Sequence, residues 1–273
     1  MRDGHAAFIH RHYRSCVVLV SLVWFGCYFA FDLGLAALAL LDCGCLALLF
    51  VLASLYLRRV TRTYSEACDP EPYLELGLWG VRRFQNARTA RGKRALETYR
   101  LCAVSALSAL GRYEEALGYL DAVDPSSLPL SSCVVYWHDR FSTLLHLDRP
   151  PEELAGLLGT ARNCLDSAHK LPSSQKRTAE LALSYDRILL SLRENGPSRE
   201  AVAQLEQHLS AVTTELHRVH CHFHLSTALL ALGDAPAARE HLDYVIAHGN
   251  KLYVCTQAME LLDKLEPKEA TPC

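Results

Sequence analysis

Hydrophobic residues are distributed unevenly along the chain, and the longest apolar stretch lies near its amino terminus. Residues 16–57 contain no Lys, Arg, Glu, His, Asn, Gln or Pro, and their only charged residues are Asp32 and Asp42. About 20 apolar residues span a bilayer core, so one helix of this stretch would be about twice as long as a membrane requires. The stretch therefore predicts a transmembrane helical hairpin, with its turn at 32–34 or, alternatively, at 42–44.

After this stretch, apolar residues recur at helical spacing, and Pro, Gly and Ser mark the breaks between segments. No segment shows the period-two alternation that is typical of a half-buried strand. The pattern predicts an all-α domain of antiparallel helix pairs joined by short connections. The predicted helices are 72–86, 95–110, 113–123, 131–147, 151–169, 175–193, 199–212, 215–232, 236–248 and 251–265, and residues 87–92 are predicted to form a basic break.

These patterns divide the chain into five parts. They are a head (1–15), the transmembrane hairpin (16–57), a basic juxtamembrane segment with the first helix (58–94), a helical repeat domain (95–265) and a frayed tail (266–273). Three arginines precede the hairpin, and Arg58, Arg59 and Arg62 follow it. Because positive charge favours the cytoplasmic side, we expect both termini and the helical domain to be cytoplasmic. The sequence shows no organelle address, so we expect a bacterial cytoplasmic membrane.

Charge and cysteine content narrow the possible partners and compartments. The net charge is −2, which gives no overall attraction to nucleic acid, and no nucleic-acid partner is expected. The eleven cysteines include no CxxC pair and no dense disulfide framework. Buried free thiols in a reducing compartment explain this usage, in agreement with the cytoplasmic orientation.

Two segments 122 residues apart are similar to each other. Residues 109–117 read ALGRYEEAL and residues 231–239 read ALGDAPAAR, so both have Ala-Leu-Gly followed by an Ala five residues after the Gly. Glycine permits a sharp turn between two helices, and alanine permits the second helix to pack closely on the first. The segments resemble the inter-helix turn and second helix of the tetratricopeptide repeat (TPR) family, and the middle helix pairs carry the motif poorly.

The resemblance implies a right-handed α-solenoid of stacked helix pairs, whose concave groove would bind a protein or peptide. By analogy with the family's first-helix positions, the groove would be lined by Leu101, His220, Phe223 and Thr227. The resemblance implies no catalysis and no cofactor, so we do not expect an enzyme. The sequence leads us to expect a membrane-anchored adaptor or scaffold that presents this groove.

A histidine-rich segment is the main candidate for chemistry. His217 and Cys221, and likewise His220 and His224, are four residues apart, which places each pair on one face of a helix. Such spacing can hold zinc, but the sequence contains no HExxH pattern and fixes no third ligand. Packed or groove-lining histidines are the simpler interpretation. The alternative function is therefore a metal- or ligand-binding module centred on residues 217–224.

Basic residues beside the membrane are the second candidate site. Polybasic segments near a bilayer attract anionic lipids. The residues concerned are Arg58, Arg59, Arg62, Arg82, Arg83, Arg91, Lys93 and Arg94. Solvated helix faces would explain much of this charge without any lipid. A last alternative for the whole chain is a structural membrane hairpin with a non-catalytic cap.

Overall fold

The computed structural model describes the backbone of residues 35–167 and 171–265, and the side chains of this part from residue 43 onward. In these ranges it contains eleven α-helices and no strand, so the all-α prediction is confirmed. The helices are α1 (Leu35–Glu66), α2 (Glu71–Phe84), α3 (Ala90–Ala109), α4 (Tyr113–Asp121), α5 (Leu130–His146), α6 (Pro151–Ser167), α7 (Ser173–Asn195), α8 (Arg199–Ala211), α9 (Glu215–Ala231), α10 (Ala235–His248) and α11 (Tyr253–Leu265).

Helix α1 contains the second predicted membrane span. The alternative turn at 42–44 is wrong, because those residues lie inside this helix, while the preferred turn at 32–34 and the first span lie outside the described residues. The segment Cys43–Glu66 is long and apolar enough to cross a membrane. Its large side chains are exposed in the isolated chain, as expected of a helix that meets lipid. They are Leu46, Leu48, Phe50, Val51, Leu52, Leu55 and Leu57.

The chain divides into two compact units, one ending at Thr61 and the other beginning at Arg62. Helices α2–α11 belong to the second unit, and each begins and ends within a few residues of its predicted limits. The largest difference is in the predicted basic break, where α3 already begins at Ala90. The reason is a local cap, since the Thr89 Oγ1 accepts a hydrogen bond from the Gly92 N–H at 3.1 Å. Arg91, Lys93 and Arg94 consequently lie in the first turns of α3.

Helices of the second unit pack on their neighbours in the chain, and α5 also contacts both α3 and α7. The largest apolar core joins α5–α10 around fully buried side chains such as Phe141, Leu154, Leu205 and Leu225. A second core joins α2–α5, around Val104 and Leu120. Burial of these side chains holds the helix pairs together, because each fully buried Leu or Phe contributes about 1.5–3 kcal/mol.

The two segments with the shared motif have the same backbone geometry. Gly111 and Gly233 have φ values of 73° and 80°, in the left-handed region. The next residue donates its N–H to the carbonyl five residues before it in both turns, from Arg112 to Leu107 and from Asp234 to Leu229. The internal similarity read from the sequence therefore reflects one repeated helix-to-helix turn.

A third turn of this type joins α5 to α6, where the sequence shows no glycine. Asp148 takes the left-handed conformation with φ 60°, and the Arg149 N–H donates to the Leu144 carbonyl in the equivalent bond. Aspartate tolerates this conformation better than most residues other than glycine. The repeated turn therefore extends to a middle helix pair in which the motif was weak.

The beginning and the end of the second unit are joined directly. The Lys251 N–H donates to the Cys68 carbonyl at 3.3 Å, and the Asn250 side-chain amide donates to the Ala67 carbonyl at 2.8 Å. A third apolar core includes Cys68 together with residues of α9, α10 and α11, among them Val219 and Leu242. In an open solenoid each repeat contacts only its neighbours. Here the segment before α2 packs against the last helices.

Candidate functional site

Aromatic and histidine rings from α7, α8 and α9 gather around Tyr185. The Tyr185 ring stacks on His208 with a centroid distance of 5.0 Å, and it meets His217 edge-on at 4.8 Å. His224 lies edge-on at 5.9 Å. Residues of three consecutive helices thus form one polar cluster beside the largest apolar core.

Three potential metal ligands meet within this cluster. One ring nitrogen of His208, one ring nitrogen of His217 and the Cys221 Sγ all lie within 4.8 Å of one another. The two Nε2 atoms are 3.2 Å apart. His208 and Cys221 are buried, with 5% and 0% of their surface exposed, and His217 is half-buried. We name these three residues the His-His-Cys cluster.

Hydrogen bonding of Ser184 fixes the proton position on His208. The Ser184 hydroxyl donates its single hydrogen to the Leu181 carbonyl at 2.7 Å. Its contact with the His208 Nδ1, at 3.3 Å, must then be one in which the histidine donates. The His208 Nε2 therefore carries a lone pair that faces His217, as a metal ligand or a hydrogen-bond acceptor would.

Burial keeps the groups of this cluster neutral. It lowers the pKa of His217 to about 3, with smaller contributions from neighbouring histidines. Burial likewise raises the pKa of the Cys221 thiol to about 12. The Tyr185 hydroxyl is also buried, and it interacts with the Cys221 thiol. The cluster is thus a set of uncharged donor atoms in an apolar setting.

A second polar pair connects α5 with α7. The His138 Nδ1 donates to both carboxylate oxygens of Asp186, at 2.9 and 3.0 Å. Burial alone would lower the pKa of His138, but the charge and hydrogen bond of Asp186 raise it to about 9. Because the Nδ1 is engaged, a protonated His138 keeps its Nε2–H as a second donor, which has no hydrogen-bond partner in the described part of the chain. Asp186 itself is 1% exposed and serves to hold this charge in place.

A cleft of about 490 Å³ lies beside this pair, between α5 and α7. Its walls are mainly apolar, with a few hydroxyl groups, and His138 forms part of its lining. The lining residues are Ser131, Val134, Val135, His138, Leu171, Ser174, Gln175, Thr178, Ala179 and Ala182. The cleft therefore combines an apolar surface with one charged hydrogen-bond donor.

The residues expected to line a groove do not form one surface. Leu101 and Phe223 are only 5% and 7% exposed and pack in apolar cores, so they are not available to a partner. His220 and Thr227 are half-buried on α9. The assumed register placed the large side chains toward solvent, whereas apolar burial turns Leu101 and Phe223 inward.

The metal candidates are divided by the helix geometry. His217 and Cys221 lie on one face of α9 and meet His208 of α8, while His220 and His224 are not members of the His-His-Cys cluster. His208 was missed because it belongs to the preceding helix. No helical spacing relates it to His217, and only the connection between α8 and α9 brings the two rings together.

The predicted basic residues are all exposed, which is compatible with either lipid contact or simple solvation. They are Arg58, Arg59, Arg62, Arg82, Arg83, Arg91, Lys93 and Arg94. Contact with anionic lipid stays a prediction.

Comparison with protein-family models, with curated proteins and with solved structures found no match to this chain.

Proposed function

We propose that the protein is a membrane-anchored adaptor that binds a segment of a partner protein in the cleft between α5 and α7. The observation that carries this proposal is the combination of apolar walls with the His138 donor in one cleft. Ligand-binding clefts are commonly of this composition, with few polar groups that fix the orientation of the ligand. No catalytic step is assigned to it.

The chemistry of the cleft defines the partner segment. The exposed part of its wall includes Val135, which is 44% exposed, and this surface favours an apolar side chain. The protonated His138 favours a carboxylate, which accepts a stronger hydrogen bond than a neutral group does. The partner segment is therefore a peptide with an apolar side chain and a nearby Asp, Glu or terminal carboxylate.

Helix α1 supplies the anchor in this proposal. The segment Cys43–Glu66 meets the length and composition of a membrane span, and Arg58, Arg59 and Arg62 follow its most apolar part. Their charge favours the cytoplasmic side, which supports a cytoplasmic position for the second unit. All eight described cysteines are free thiols, which supports a reducing compartment. A bacterial cytoplasmic membrane is the proposed location.

The proposal also includes a helix arrangement like that of tetratricopeptide repeats. The repeated turn occurs between α3 and α4, between α5 and α6 and between α9 and α10, and α5 contacts both α3 and α7. We propose that these pairs are stacked with the right-handed rotation of that family. In such a stack the cleft lies between the first helices of two successive pairs, α5 and α7.

The test is site-specific photo-crosslinking of the full chain in its membrane. A photoreactive amino acid replaces Val135 in the cleft, and in a matched control it replaces Met259 of α11, which has the same exposure of 44%. We expect one protein to crosslink at position 135 and not at 259. A synthetic peptide with an apolar and an acidic residue should compete, and its Glu→Gln analogue should compete less.

A second comparison tests the role of His138. His138→Gln removes the charge but retains a hydrogen-bonding side chain, so it should weaken peptide binding by about 10-fold or more. Equal crosslinking at positions 135 and 259 would contradict the proposal. So would equal competition by the acidic peptide and its Glu→Gln analogue.

A further inference from the structure

We propose that the His-His-Cys cluster is a zinc site that joins helices α8 and α9. The ligands are the Nε2 of His208, the Nε2 of His217 and the Sγ of Cys221. This site lies apart from the lining of the cleft and does not depend on the proposed adaptor function.

The ligand set matches the chemistry of zinc. Zn²⁺ binds imidazole nitrogen and thiolate sulfur, usually in tetrahedral geometry. Tetrahedral angles with ordinary Zn–N and Zn–S bonds place the ligand atoms about 3.3–3.6 Å apart. The two nitrogen atoms here are 3.2 Å apart, and all three ligand atoms lie within 4.8 Å. A contraction of at most about 1.2 Å, from 4.8 to 3.6 Å, therefore completes the geometry.

The Ser184 hydrogen bond prepares His208 for this role. Metal-binding histidines commonly donate their second N–H to a neighbouring acceptor, which fixes the tautomer and the ring orientation. The His208 Nδ1 donates to the Ser184 hydroxyl at 3.3 Å, because that hydroxyl already donates to the Leu181 carbonyl. Ser184 is thus a positioning residue and touches no metal.

Tyr185 forms one wall of the proposed site. Its ring stacks on His208 and meets His217 edge-on, and its buried hydroxyl interacts with the Cys221 thiol. The three protein ligands leave one position of a tetrahedral zinc open, and a water molecule would fill it.

A second histidine pair, which joins α9 to α10, provides an internal control. The His222 Nδ1 and the His241 Nδ1 are 2.8 Å apart, and the His222 ring stacks on Tyr244. Within the described part of the chain this pair belongs to no three-ligand group. A close pair of histidines therefore occurs here without a third ligand, and variants of His222 separate the effect of zinc from the general effect of losing a histidine.

Binding of zinc is balanced by loss of the thiol proton. Zn²⁺ and the neutral Cys221 thiol give a Zn–thiolate bond and one proton released to solvent. His208 binds through its existing Nε2 lone pair, and His217 binds through its Nε2 after its ring proton moves to the Nδ1, with no net loss of a proton. Titration of zinc into weakly buffered protein should therefore release one proton per zinc. Simple binding between neutral histidines would release none.

The test uses the full chain in detergent, stripped with EDTA and then titrated with Zn²⁺ or Co²⁺. We expect one zinc per chain and, with Co²⁺, thiolate-to-cobalt charge-transfer absorption with tetrahedral visible bands. Cys221→Ala should remove that absorption, and His208→Gln and His217→Gln should each weaken zinc binding at least 100-fold. His222→Gln should bind as the wild type does, and Ser184→Ala should lose about 10- to 100-fold.

The half-buried position of His217 keeps the test informative if changes at the buried residues prevent folding. Absence of stoichiometric zinc in a folded wild type would overturn the proposal. So would zinc binding that His217→Gln leaves unchanged, or that His222→Gln reduces equally, because the metal would then be bound elsewhere or only adventitiously.

Discussion

The aromatic ring of Tyr253 lies directly on the backbone of Gly111. A Cβ atom added to Gly111 would fall 2.4 Å from the Cγ of Tyr253, well inside the distance of a normal contact. This contact links the turn between α3 and α4 to the first residue of α11. Gly111 is therefore required both by its left-handed conformation and by the close approach of another helix.

Gly111→Ala and Gly233→Ala should differ in their effects on stability. Both glycines have positive φ, so alanine costs about 1–2 kcal/mol at either position. Only Gly111 also meets a ring, because no atom of the described residues lies within 4 Å of a Cβ built at Gly233. We expect Gly111→Ala to lower the free energy of unfolding by about 2 kcal/mol more than Gly233→Ala, as measured by urea unfolding.

A double-mutant cycle provides the control for this prediction. In a Tyr253→Ala background, Gly111→Ala should cost only the conformational part, close to the value for Gly233→Ala. An unchanged cost in that background would show that the ring contact contributes nothing.

The stabilities of two variants at Asp148 test whether the third repeated turn has the left-handed conformation. Asp148→Ala and Asp148→Gly both remove the ion pair with Arg193, so that contribution cancels between them. Because φ is 60° at this position, we expect the glycine variant to be more stable than the alanine variant by about 1 kcal/mol in urea unfolding. Equal stabilities would contradict the assignment of this turn.

His146 should make the fold sensitive to acid. It stacks on Tyr113 with a centroid distance of 4.3 Å, and burial lowers its pKa to about 4. The unfolded chain takes up a proton near pH 6.5 and the folded chain does not, so stability is lost as the pH falls from 6.5 toward 4. His146→Phe retains the stacking but cannot take up a proton. The free energy of unfolding of the variant, measured relative to that of the wild type, should therefore be about 2 kcal/mol higher at pH 5 than at pH 7.

Urea unfolding at both pH values measures this difference. Tyr113→Phe is the control, because it changes the stacking partner but leaves His146 in place. That variant should keep the acid sensitivity of the wild type. An unchanged pH dependence in His146→Phe would show that this residue does not contribute.

The His138–Asp186 pair should make the folded state less stable as the pH rises above 7. Despite its burial, the pKa of His138 is raised to about 9 by Asp186, so the folded chain keeps a proton that the unfolded chain loses near pH 6.5. The contribution is fully present below pH 6.5 and is lost as the pH rises toward 9. We expect the free energy of unfolding to fall by about 2 kcal/mol between pH 7 and 9 from this group, allowing for its partial exposure.

Asp186→Asn checks that assignment with an isosteric side chain. It should remove most of the decline between pH 7 and 9, and it should also lower stability at pH 7 because His138 loses its charge partner. A decline of equal size in this variant would place the titrating group elsewhere.

The helices could be predicted because Pro, Gly and capping residues mark their ends locally. The repeated turn was visible where it contains glycine, at Gly111 and Gly233, but not at Asp148, whose conformation depends on the same hydrogen bonds with a different side chain. Only two of the three residues of the His-His-Cys cluster could be paired from the sequence. His217 and Cys221 share a helix face, whereas His208 joins them through packing between two helices.

The groove residues show the limit of reasoning by resemblance. Leu101 and Phe223 were assigned to a surface by repeat position, yet both are buried. Contacts across the second unit bury them: Phe223, for example, shares an apolar core with Cys68, which lies far from it in the chain. A local pattern contains no information about such partners.

The bonds from Lys251 and Asn250 to residues 67 and 68 have a mechanical consequence. A linear array of helix pairs can unravel from a free end, one pair at a time, because its last pair has a neighbour on one side only. Here the connection between the last two helices is hydrogen-bonded to the segment that follows α1. Tension applied through α1 would therefore load both ends of the second unit together, and the unit should yield in one cooperative step.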